Sequence, residues 1–582
     1  MTATLKKSSY GIGDYRLLRL TGKACVDKTQ YIERLEATGH PYPFLVRPRR
    51  FGKTLFTQIL KLYYDKAEAA RFEENFGGTY IADHKTPLAN HYYVLTLDMS
   101  AVNSSNFAKG LCDSLKNGMR NFCDRYTFPE GERILSMTFD TPQELMGEFC
   151  RAFSGCFKGK IYLIIDEYDQ TANNVLSNDV ESFRALTRSG GVLKEFFSYL
   201  KQLTTNGPLE RIFLTGVTAI SLDSMTSGFS IAKNFSTRAD FAGMYGFTEE
   251  ELRTLIPQLV NVKKLSMTED ALVARMREWY NGYRFSPRSA VTVFNASMCL
   301  YYLDYLASEE KEPLQLMDPA VAQDLSKIEK ILALGRPEFV EEVVEQAVRG
   351  ERIPFDGGLT LLNLQNSDYF TDQAVLSALF YLGFLTYVPG EEEELVVPNR
   401  AIAQQFYDYR FKTLRRFTNW VVSRRFLDKT LAPLAAGNPE PWLREAERLL
   451  TKQCGIQKSL HLRESDFQVC LLTLANLMPD YTCRAEVEVT GETHGYADLL
   501  LTSESGTQPS YLIELKYLTK KNGTPAAVKK TLEAAAVQVA DYVRGDNLRS
   551  VPRLVGVAAV FVGTELSALR VMPAASESGV TD

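Results

Sequence analysis

The sequence lacks the marks of a membrane-spanning or secreted protein. Nowhere do about eighteen apolar residues follow one another, as a transmembrane helix requires. Lys6 and Lys7 are not followed by the apolar run of a secretion signal, so we expect no membrane partner. Nine scattered cysteines include no Cys-x-x-Cys pair. Reduced thiols in a cytoplasmic protein are the expectation that fits this pattern.

Closely spaced metal-ligand histidines and an excess of positive charge are also missing. The five histidines are not spaced from one another or from a cysteine as zinc ligands would be, so we expect no structural zinc. With 66 basic and 71 acidic residues the net charge is −5, and any nucleic-acid site must be a local patch. Two basic groups are either such patches or solvated helix faces: Lys516, Lys520, Lys521, Lys529 and Lys530, and Arg415, Arg416, Arg424 and Arg425 around Trp420.

The composition is that of an ordinary globular protein, with 45% hydrophobic and 24% charged residues over a length of 582. Domains of roughly 100–200 residues predict about three or four units in such a chain. In the first part, apolar runs at 42–46, 92–97, 161–165 and 212–214 are separated by stretches long enough for crossover helices. This alternation predicts a parallel α/β sheet.

A phosphate-binding motif follows the first apolar run. Gly52, Lys53 and Thr54 form the second half of a P-loop, in which backbone N–H groups and the lysine contact phosphates while the hydroxyl binds Mg²⁺. Arg47 stands where the usual first glycine would be. The entry to the loop must therefore use a conformation that an L-residue tolerates.

A second element of a nucleotide site ends the third apolar run. Asp166 and Glu167 follow four apolar residues, as the end of a buried strand in a P-loop ATPase does. Asp166 would hold Mg²⁺, Glu167 would polarise the attacking water, and Thr215, after the fourth run, would sense the γ-phosphate. Arg49 and Arg50 would contact phosphates or acidic residues of a neighbouring domain. Together with the loop, these residues predict a site for ATP and Mg²⁺.

The middle of the chain is mostly helical. A helix at 372–382, a strand at 384–388, an acidic turn at 391–394 and a strand at 395–397 suggest a winged-helix unit. The acidic hairpin tip favours a packing or interaction role, because a phosphate contact would use Lys or Arg. A Gly/Asn/Pro cluster near 439–441 marks a boundary before the last domain.

Two apolar strands near the C-terminus carry charge. Asp498 lies in the first, and Glu514 and Lys516 lie two positions apart in the second, so they point to one face that a hairpin can place beside Asp498. Two carboxylates suit Mg²⁺ or Mn²⁺, and a lysine can activate water and stabilise a pentacovalent phosphate. The pattern predicts phosphodiester hydrolysis; the alternative is a surface ion pair between Glu514 and Lys516.

Further side chains are candidates for the same site. Glu464 on a preceding amphipathic helix and Glu488 ahead of the first strand would complete the metal shell, and Glu486 competes with Glu488 for that role. Gln538 and Tyr542 lie four apart on one face of a later helix. Gln538 would face the site, or it would be a core-facing or solvated amide.

In their order along the chain, these motifs resemble the AAA-ATPase-like proteins of bacteria and archaea that carry a C-terminal PD-(D/E)XK nuclease domain. The resemblance covers nearly the whole chain. It implies an ATPase core that tolerates arginine at position 47, a helical or winged-helix middle and a terminal nuclease. It rests on Val26-Asp27-Lys28-Thr29, the 47–54 loop, Ile165-Asp166-Glu167-Tyr168-Asp169, Thr215-Gly216, Tyr280-Asn281-Gly282-Tyr283, Pro398-Asn399-Arg400 and the Asp498, Glu514 and Lys516 set.

The sequence thus predicts an α/β multidomain protein with three parts. These are an N-terminal P-loop, AAA-like parallel-sheet ATPase domain (1–260), a helical and winged-helix-like region (261–440) and an α/β restriction-endonuclease-like PD-(D/E)XK domain (441–582). The predicted function is metal-dependent hydrolysis of nucleic acid, DNA before RNA, regulated or oriented by ATP. Alternatives are a nucleotide-dependent switch with a non-cleaving nuclease fold and a winged-helix DNA-binding regulator. Assembly into a homo-oligomer is left open.

Overall fold

The structure of the chain is a computed structural model, and it divides into two compact units. The first comprises Met1–Glu341 and Arg352–Ile402, and the second Glu342–Glu351 and Ala403–Asp582. The domain boundaries after 260 and 440 stay predictions. The described residues are 5–100, 102, 106–170, 191–218, 229–265, 267–313, 316–318, 328–356, 358–359, 370–416, 424–453, 464–476, 478, 481–490, 495–503 and 506–572, without the side chains of 411–416, 424–428, 452–453, 464–466, 469, 473, 476, 486 and 488.

Several helices begin at ordinary capping residues. Thr141 accepts a hydrogen bond from the Glu144 N–H group and precedes Pro142 at the first helical position. None of the described helices is both long and apolar enough to cross a membrane. In chain order they are α1 (Tyr15–Leu20), α2 (Gln30–Ala37), α3 (Lys53–Tyr64), α4 (Phe72–Phe76), α5 (Tyr80–Asp83), α6 (Phe107–Tyr126), α7 (Gly131–Ser136), α8 (Pro142–Cys156), α9 (Val192–Asn206), α10 (Glu249–Leu259), α11 (Glu269–Tyr280), α12 (Ala296–Glu309), α13 (Ile328–Leu332), α14 (Pro337–Arg349), α15 (Asp372–Tyr381), α16 (Arg400–Arg416), α17 (Arg424–Ala435), α18 (Glu440–Gln453), α19 (Glu464–Asn476) and α20 (Pro525–Tyr542).

The first unit contains a five-stranded sheet in which every pairing is parallel. The predicted parallel α/β sheet is therefore confirmed, and four strands lie on the four apolar runs. A strand that is covered on both faces reads as a continuous apolar run, which explains why these strands were visible in the sequence. In the order β2-β3-β4-β1-β5, the strands are β1 (Pro43–Val46), β2 (Tyr93–Asp98), β3 (Ile161–Asp166), β4 (Leu209–Gly216) and β5 (Lys233–Asn234).

Helices cover this sheet and fix the loop that leaves β1. α6 packs against β2, α9 packs against β4, and α3 packs against β2 and β3. Along α3, the buried residues Phe56, Ile59, Leu60 and Tyr63 recur at helical spacing. Burial of this apolar face holds the N-terminus of α3 at the end of β1.

Arg47 takes a structural role at the end of β1. Its buried guanidinium donates hydrogen bonds to the carbonyl oxygens of Val46 (2.8 Å), Ser236 (2.7 Å) and Phe241 (3.1 Å). It also lies 4.2 Å from the centre of the Phe285 ring, a cation–π contact. Burial lowers the pKa of Arg47 to about 9. These contacts hold the entry to the loop without the glycine found in the usual motif.

Two of the short motifs pack directly against each other within the first unit. Gly282 has a φ of +92°, and a Cβ atom there would lie 2.0 Å from the Pro398 carbonyl oxygen. Asn399 Nδ2 donates a hydrogen bond to the Asn281 carbonyl oxygen at 2.7 Å. The Tyr-Asn-Gly-Tyr and Pro-Asn-Arg segments therefore form one joint, in which only glycine fits both the backbone conformation and the space.

The helix and hairpin predicted near 372–397 are confirmed. α15 is followed by antiparallel strands, which join a third strand in the order β6-β8-β7. The Thr386 hydroxyl accepts a hydrogen bond from the Arg284 N–H group and donates one to the Arg284 carbonyl. A winged-helix assignment stays a prediction. The strands are β6 (Ile353–Pro354), β7 (Thr386–Tyr387) and β8 (Glu394–Val396).

The second unit contains a mixed five-stranded sheet in the order β13-β12-β11-β10-β9. β11 and β12 are parallel and the other neighbours are antiparallel. α20 packs against β11 and β12, and α19 packs against β9 and β11. The α/β character predicted for the C-terminal part is confirmed. The strands are β9 (Tyr481–Val489), β10 (Gly495–Ser503), β11 (Ser510–Leu518), β12 (Leu554–Val562) and β13 (Glu565–Met572).

Replacing Gly282 with alanine should destabilise the first unit more than a glycine change that meets only backbone strain. We expect Gly282→Ala to lower the free energy of unfolding by about 2 to 5 kcal/mol, from left-handed strain plus overpacking. Gly39→Ala, where φ is +68° and a Cβ would meet no atom within 4 Å, should cost about 1 to 2 kcal/mol. Denaturant unfolding measures both. Equal losses would contradict the packing argument.

Candidate functional site

A cavity of about 580 Å³ opens at the carboxyl ends of the strands in the first unit. The 52–54 segment follows β1, Asp98 ends β2 and Asp166 ends β3. The volume is that of ordinary small-molecule and cofactor sites, and the edge is where open α/β sheets bind ligands. The predicted nucleotide-site residues that line it are Arg49, Arg50, Gly52, Lys53, Thr54, Asp166 and Glu167.

The phosphate loop places the N-terminus of α3 at this cavity. Gly52 caps the helix with a φ of 96° and supplies no side-chain hydrogen bond, so the first N–H groups can bind an anion. Lys53 Nζ donates hydrogen bonds to the carbonyl oxygens of Arg47 (3.0 Å) and Pro48 (3.1 Å), and burial lowers the pKa of Lys53. The lysine therefore closes the loop on itself, where an arriving phosphate would compete for it.

Thr54 and Asp166 meet as a hydroxyl–carboxylate pair. The Thr54 hydroxyl lies near Asp166 and favours its ionised form. Burial raises the pKa of Asp166, while the nearby Lys53 charge and this hydroxyl oppose that rise. Asp98, the register partner of Asp166 on β2, repels its charge. A hydroxyl and a carboxylate side by side are the oxygen ligands that Mg²⁺ accepts, so this pair fits the predicted metal role.

Glu167 is held in a strained backbone conformation beside the phosphate loop. Its φ is +52°, in the left-handed region that costs a non-glycine residue about 1 to 2 kcal/mol. Glu167 Oε1 lies 4.0 Å from Lys53 Nζ, and the buried Oε2 accepts no hydrogen bond from the described residues. Burial raises the pKa of Glu167. Glu167 lines the cavity, which agrees with its predicted role of binding a water.

Of the remaining residues predicted for the nucleotide site, two line the cavity and one does not. Arg49 lines the cavity and donates to Gln170 Oε1, and Arg50 lines it with a φ of +70°. Thr215 is buried, and its hydroxyl donates to the Leu45 carbonyl oxygen at 2.9 Å. Thr215 is not among the described residues that line the cavity. Its role in sensing the γ-phosphate stays a prediction.

Asp169 is a supporting residue whose role the motif alone did not reveal. Its buried carboxylate accepts hydrogen bonds from the Val217 N–H group (3.0 Å) and from the Thr218 N–H group (2.6 Å) and hydroxyl (2.7 Å). A Cβ at Gly216 would lie 2.2 Å from Asp169 Oδ1. The Asp-Glu-Tyr-Asp and Thr-Gly segments are thus joined after β3 and β4.

Part of the cavity lining is apolar and comes from distant segments of the sequence. Lys28 supports one wall, because its buried ammonium donates to both carboxylate oxygens of Glu251 at 2.7 Å and to the Gly243 carbonyl oxygen at 2.8 Å. Glu251 in turn caps α10. The sequence carries no local signal for this pocket. Its apolar lining includes Leu18, Ala24, Val26, Met244, Phe247, Leu255 and Leu300.

In the second unit, the structure brings Asp498, Glu514 and Lys516 together. Lys516 Nζ lies 2.8 Å from Glu514 Oε1 and 3.9 Å from Asp498 Oδ2. Both carboxylates are buried, whereas the Lys516 side chain is 30% exposed. Glu514 and Lys516 share a face, as their spacing predicted, and the trio is more than the alternative surface pair.

Asp498 stands where two strands of the sheet separate. β10 pairs with β11 over 499–501 among the described residues. Just beyond, the Leu515 N–H group donates to Asp498 Oδ2 at 2.6 Å. Gln468 on α19 donates to Asp498 Oδ1 at 2.8 Å. The carboxylate therefore completes the ladder, and Gln468 is a site residue that no spacing in the sequence pointed to.

The other predicted metal ligands are only partly described. Glu464 begins α19 and Glu488 lies on β9, but both side chains lie outside the described residues. In the ladder between β9 and β10, Glu488 pairs with Tyr496. The same register places position 486 opposite Asp498, since Ala497 pairs with Val487 and Leu499 with Ala485.

Gln538 supports the start of β10. Its Nε2 atom donates to the Tyr542 hydroxyl at 3.1 Å, and a Cβ at Gly495 would lie 2.1 Å from that hydroxyl. Gln538 is half-buried and contacts Tyr542, and whether it faces the site stays a prediction.

In the described part of the chain, the two clusters of basic residues do not form a defined phosphate-binding site. The side chains of Arg415, Arg416, Arg424 and Arg425, and Trp420, lie outside the described residues. The four lysines of the C-terminal group beyond Lys516 are exposed, which agrees with solvated faces. They are Lys520, Lys521, Lys529 and Lys530.

Comparison with known families agrees with this geometry. Residues 9–226 match the AAA-ATPase-like family, described as "Predicted AAA-ATPase". Residues 462–568 match the PD-(D/E)XK nuclease superfamily. The chain joins an AAA-ATPase-like domain to a PD-(D/E)XK nuclease domain. The recognition made from the motifs is thereby confirmed, and the pairing supports a nuclease with an ATPase domain.

Similar proteins add little about activity. An "Uncharacterized protein in vnfD 5'region" of Azotobacter chroococcum mcd 1 is 24% identical over 271 residues, which are 46% of this chain and 47% of that protein. The chain thus spans about half the length of the curated relative it matches. The solved structure of the Aeropyrum pernix ORC1 protein in complex with DNA is 11% identical, covers 68% of this chain and 97% of that one, and has a TM-score of 0.27.

The donor set of the PD-(D/E)XK domain fits a divalent cation. Within the described residues, no three His, Cys, Asp or Glu side chains gather as metal ligands. Mg²⁺ requires fewer, because it keeps water and substrate oxygens beside one or two carboxylates. Asp498 and Glu514 supply those two, both buried and sharing one ammonium group.

Removing the charge of Glu167 should stabilise the AAA-ATPase-like domain above neutral pH. Burial raises the pKa of Glu167, so its contribution to stability is complete below the unfolded pKa, about 4.3, and is lost as pH rises through the folded pKa. At pH 8 we expect the free energy of unfolding of Glu167→Gln to be about 1 kcal/mol higher than that of the wild type. The difference should shrink toward pH 5.

The control for this prediction is Glu250→Gln, at an exposed position, which should change stability by less than about 0.5 kcal/mol at either pH. Asp166, whose pKa burial also raises, repels the Glu167 carboxylate, so removing the Glu167 charge relieves both groups and adds to the expected gain. Denaturant unfolding at pH 5, 6.5 and 8 measures the effect. A variant less stable than the wild type at pH 8 would show that the carboxylate is favourably paired.

Proposed function

We propose that the protein is a metal-dependent nuclease that cleaves phosphodiester bonds at Asp498, Glu514 and Lys516, with ATP binding in the N-terminal domain regulating or orienting the cleavage. The observation that carries the proposal is the convergence of two buried carboxylates and one partly exposed ammonium in a PD-(D/E)XK domain. DNA is the first substrate we propose and RNA the second.

Each member of the trio has a separate role in the proposal. Asp498 and Glu514 would hold Mg²⁺ or Mn²⁺, with Glu464 and Glu488 as further ligands. The bound ion would polarise the phosphate and lower the pKa of a water. Lys516, the member that reaches solvent, would orient the attacking water and stabilise negative charge on the phosphate. A phosphate arriving at Lys516 would meet the carboxylates only one side chain away.

For the N-terminal domain we propose a site for Mg-ATP. The Lys53 ammonium would leave the carbonyl oxygens of Arg47 and Pro48 and bind the phosphates instead. Thr54 and Asp166 would hold Mg²⁺, and the apolar residues of the cavity lining would take the base. Glu167 would position the attacking water if ATP is hydrolysed, and Arg49 and Arg50 would contact the phosphates.

A second candidate is a nucleotide-dependent switch that does not cleave. The observation in its favour is that Lys53 is held by its own loop, and Glu167 is in a strained conformation. Strain and alternative hydrogen bonds at one loop are the ingredients of a two-state element. Binding of ATP without cutting of any nucleic acid would favour this candidate.

Loss of Lys516 should abolish cutting without unfolding the protein. We expect Lys516→Ala to cut labelled DNA at least about 100-fold more slowly than the wild type in Mg²⁺ or Mn²⁺. Arg549→Ala, at an exposed residue paired with Asp546, is the matched control and should cut normally. Gel assays on single- and double-stranded DNA and RNA measure the rates. Undiminished cutting by Lys516→Ala would refute the assignment.

Asp498→Ala is a less clean test, because Asp498 also accepts hydrogen bonds from Leu515 and Gln468. Its removal leaves buried donors unsatisfied, at about 1 to 3 kcal/mol each. We expect this variant to lose both cutting and thermal stability, and the melting temperature must be measured beside the activity.

Binding of Mg-ATP should stabilise the wild type by about 2.7 kcal/mol at a concentration 100 times Kd. Thr54→Val removes the hydroxyl beside Asp166 and should lose most of this gain. Thr57→Val, one turn later, is the control, because that hydroxyl donates to the Thr54 carbonyl and does not line the cavity. Thermal unfolding with and without nucleotide measures the shift. No shift for the wild type at millimolar Mg-ATP would contradict the nucleotide site.

A further inference from the structure

Helix α19 brings a neutral hydrogen-bond donor to Asp498. Gln468 Nε2 donates to Asp498 Oδ1 at 2.8 Å, while the Leu515 N–H group donates to Asp498 Oδ2 at 2.6 Å. The Gln468 and Asp498 side chains are both buried. With one donor on each oxygen, the carboxylate cannot turn about its Cβ–Cγ bond without losing a buried hydrogen bond. Its orientation is therefore set jointly by β11 and by α19.

The helix that carries Gln468 is itself firmly packed. Phe467, the preceding residue, has its ring centre 4.2 Å from that of Phe561 on β12 and 5.9 Å from that of Tyr517 on β11. Leu471 and Leu472, about one turn later, are buried. Because a shift of α19 would break these apolar contacts, Gln468 holds a fixed position against which the Asp498 carboxylate is oriented.

A neutral donor suits a carboxylate that has to bind a cation. A Lys or Arg side chain at position 468 would bring a positive charge that repels a divalent ion, and the Lys516 ammonium already lies 3.9 Å from Asp498 Oδ2. The amide of Gln468 orients the carboxylate and leaves its negative charge in place. A carboxylate has about four lone-pair sites, and the hydrogen bonds from Gln468 and Leu515 use two of them.

We propose that Gln468 is a positioning residue for the divalent ion of the nuclease site, which sets the affinity for Mg²⁺ or Mn²⁺ by fixing the Asp498 carboxylate. Hydrogen-bond partners of metal-binding side chains typically contribute about 10- to 100-fold in metal affinity. The inference rests on the proposed nuclease function, in which Asp498 holds the metal. It has a specific consequence: an excess of metal compensates for the loss of Gln468, whereas it does not compensate for the loss of Lys516.

The first test measures the metal dependence of cutting in the full chain. Gln468→Met removes the donor at similar side-chain length. It should raise the concentration of Mg²⁺ or Mn²⁺ that gives half-maximal cutting by about 10- to 100-fold, while the rate at saturating metal stays close to that of the wild type. Gln508→Met, at a half-buried residue between β10 and β11, is the matched control and should require the same metal concentration as the wild type.

The second test measures metal binding without nucleic acid or nucleotide. The electron paramagnetic resonance signal of free Mn²⁺ gives the bound fraction for each protein. The nucleotide site is the same in the wild type and in Gln468→Met, so the difference between them reports the nuclease site. We expect Gln468→Met to bind Mn²⁺ more weakly by the same factor as in the cutting assay. Gln468→Leu removes the same donor with a different shape and should agree, which separates the lost hydrogen bond from a change in packing.

Two results would overturn this inference alone. One is an unchanged metal requirement and unchanged Mn²⁺ affinity in Gln468→Met, and the other is a loss of cutting in that variant that excess metal does not restore. A wild type that cuts no nucleic acid at any metal concentration would instead overturn the proposed nuclease function. The Mn²⁺ measurement would then still decide whether Gln468 controls metal binding at Asp498.

Discussion

The cost of burying charge governs both candidate sites. Each begins where an apolar strand carries a carboxylate into the interior, and an ionised carboxylate there requires hydrogen bonds and a nearby cation. In the first unit Asp166 ends β3 close to Lys53. In the second unit Asp498 receives the Leu515 N–H group and lies near Lys516. Because these partners come from other strands or from a helix, neither charge can be stabilised before its sheet has formed. Fold and site are therefore specified together.

This constraint gives Asp498 two functions that cannot be separated by mutation. The oxygen atoms that would face a metal in the proposed site also accept hydrogen bonds from the Leu515 N–H group on β11 and from Gln468 on α19. Asp498 thus satisfies a buried backbone donor next to the residues over which β10 and β11 are paired, so that no polar backbone group is left buried and unpaired there.

The phosphate loop shows how tertiary contacts replace a local rule. The usual glycine permits a tight entry to the loop; here Arg47 supplies that order instead, through three carbonyl oxygens and the Phe285 ring. Lys53 then bonds to the loop that it would leave when a phosphate arrives. The order of the loop therefore depends on contacts made across the domain and not on the backbone freedom of a single residue.

The sequence by itself determined the parallel sheet, the shared face of Glu514 and Lys516 and the position of residues 52–54 between a strand and a helix, because each depends on a short period or spacing that a single strand or helix imposes. It could not reveal Gln468, Asp169 or the apolar part of the cavity lining, since these act through contacts between segments far apart in the chain. It also gave no reason for Arg47, whose partners Ser236 and Phe285 lie far along the chain. The periodicity of a strand or helix depends on residues that are close in the sequence. The pairing of a buried charge with a distant donor forms only when the sheets and helices pack.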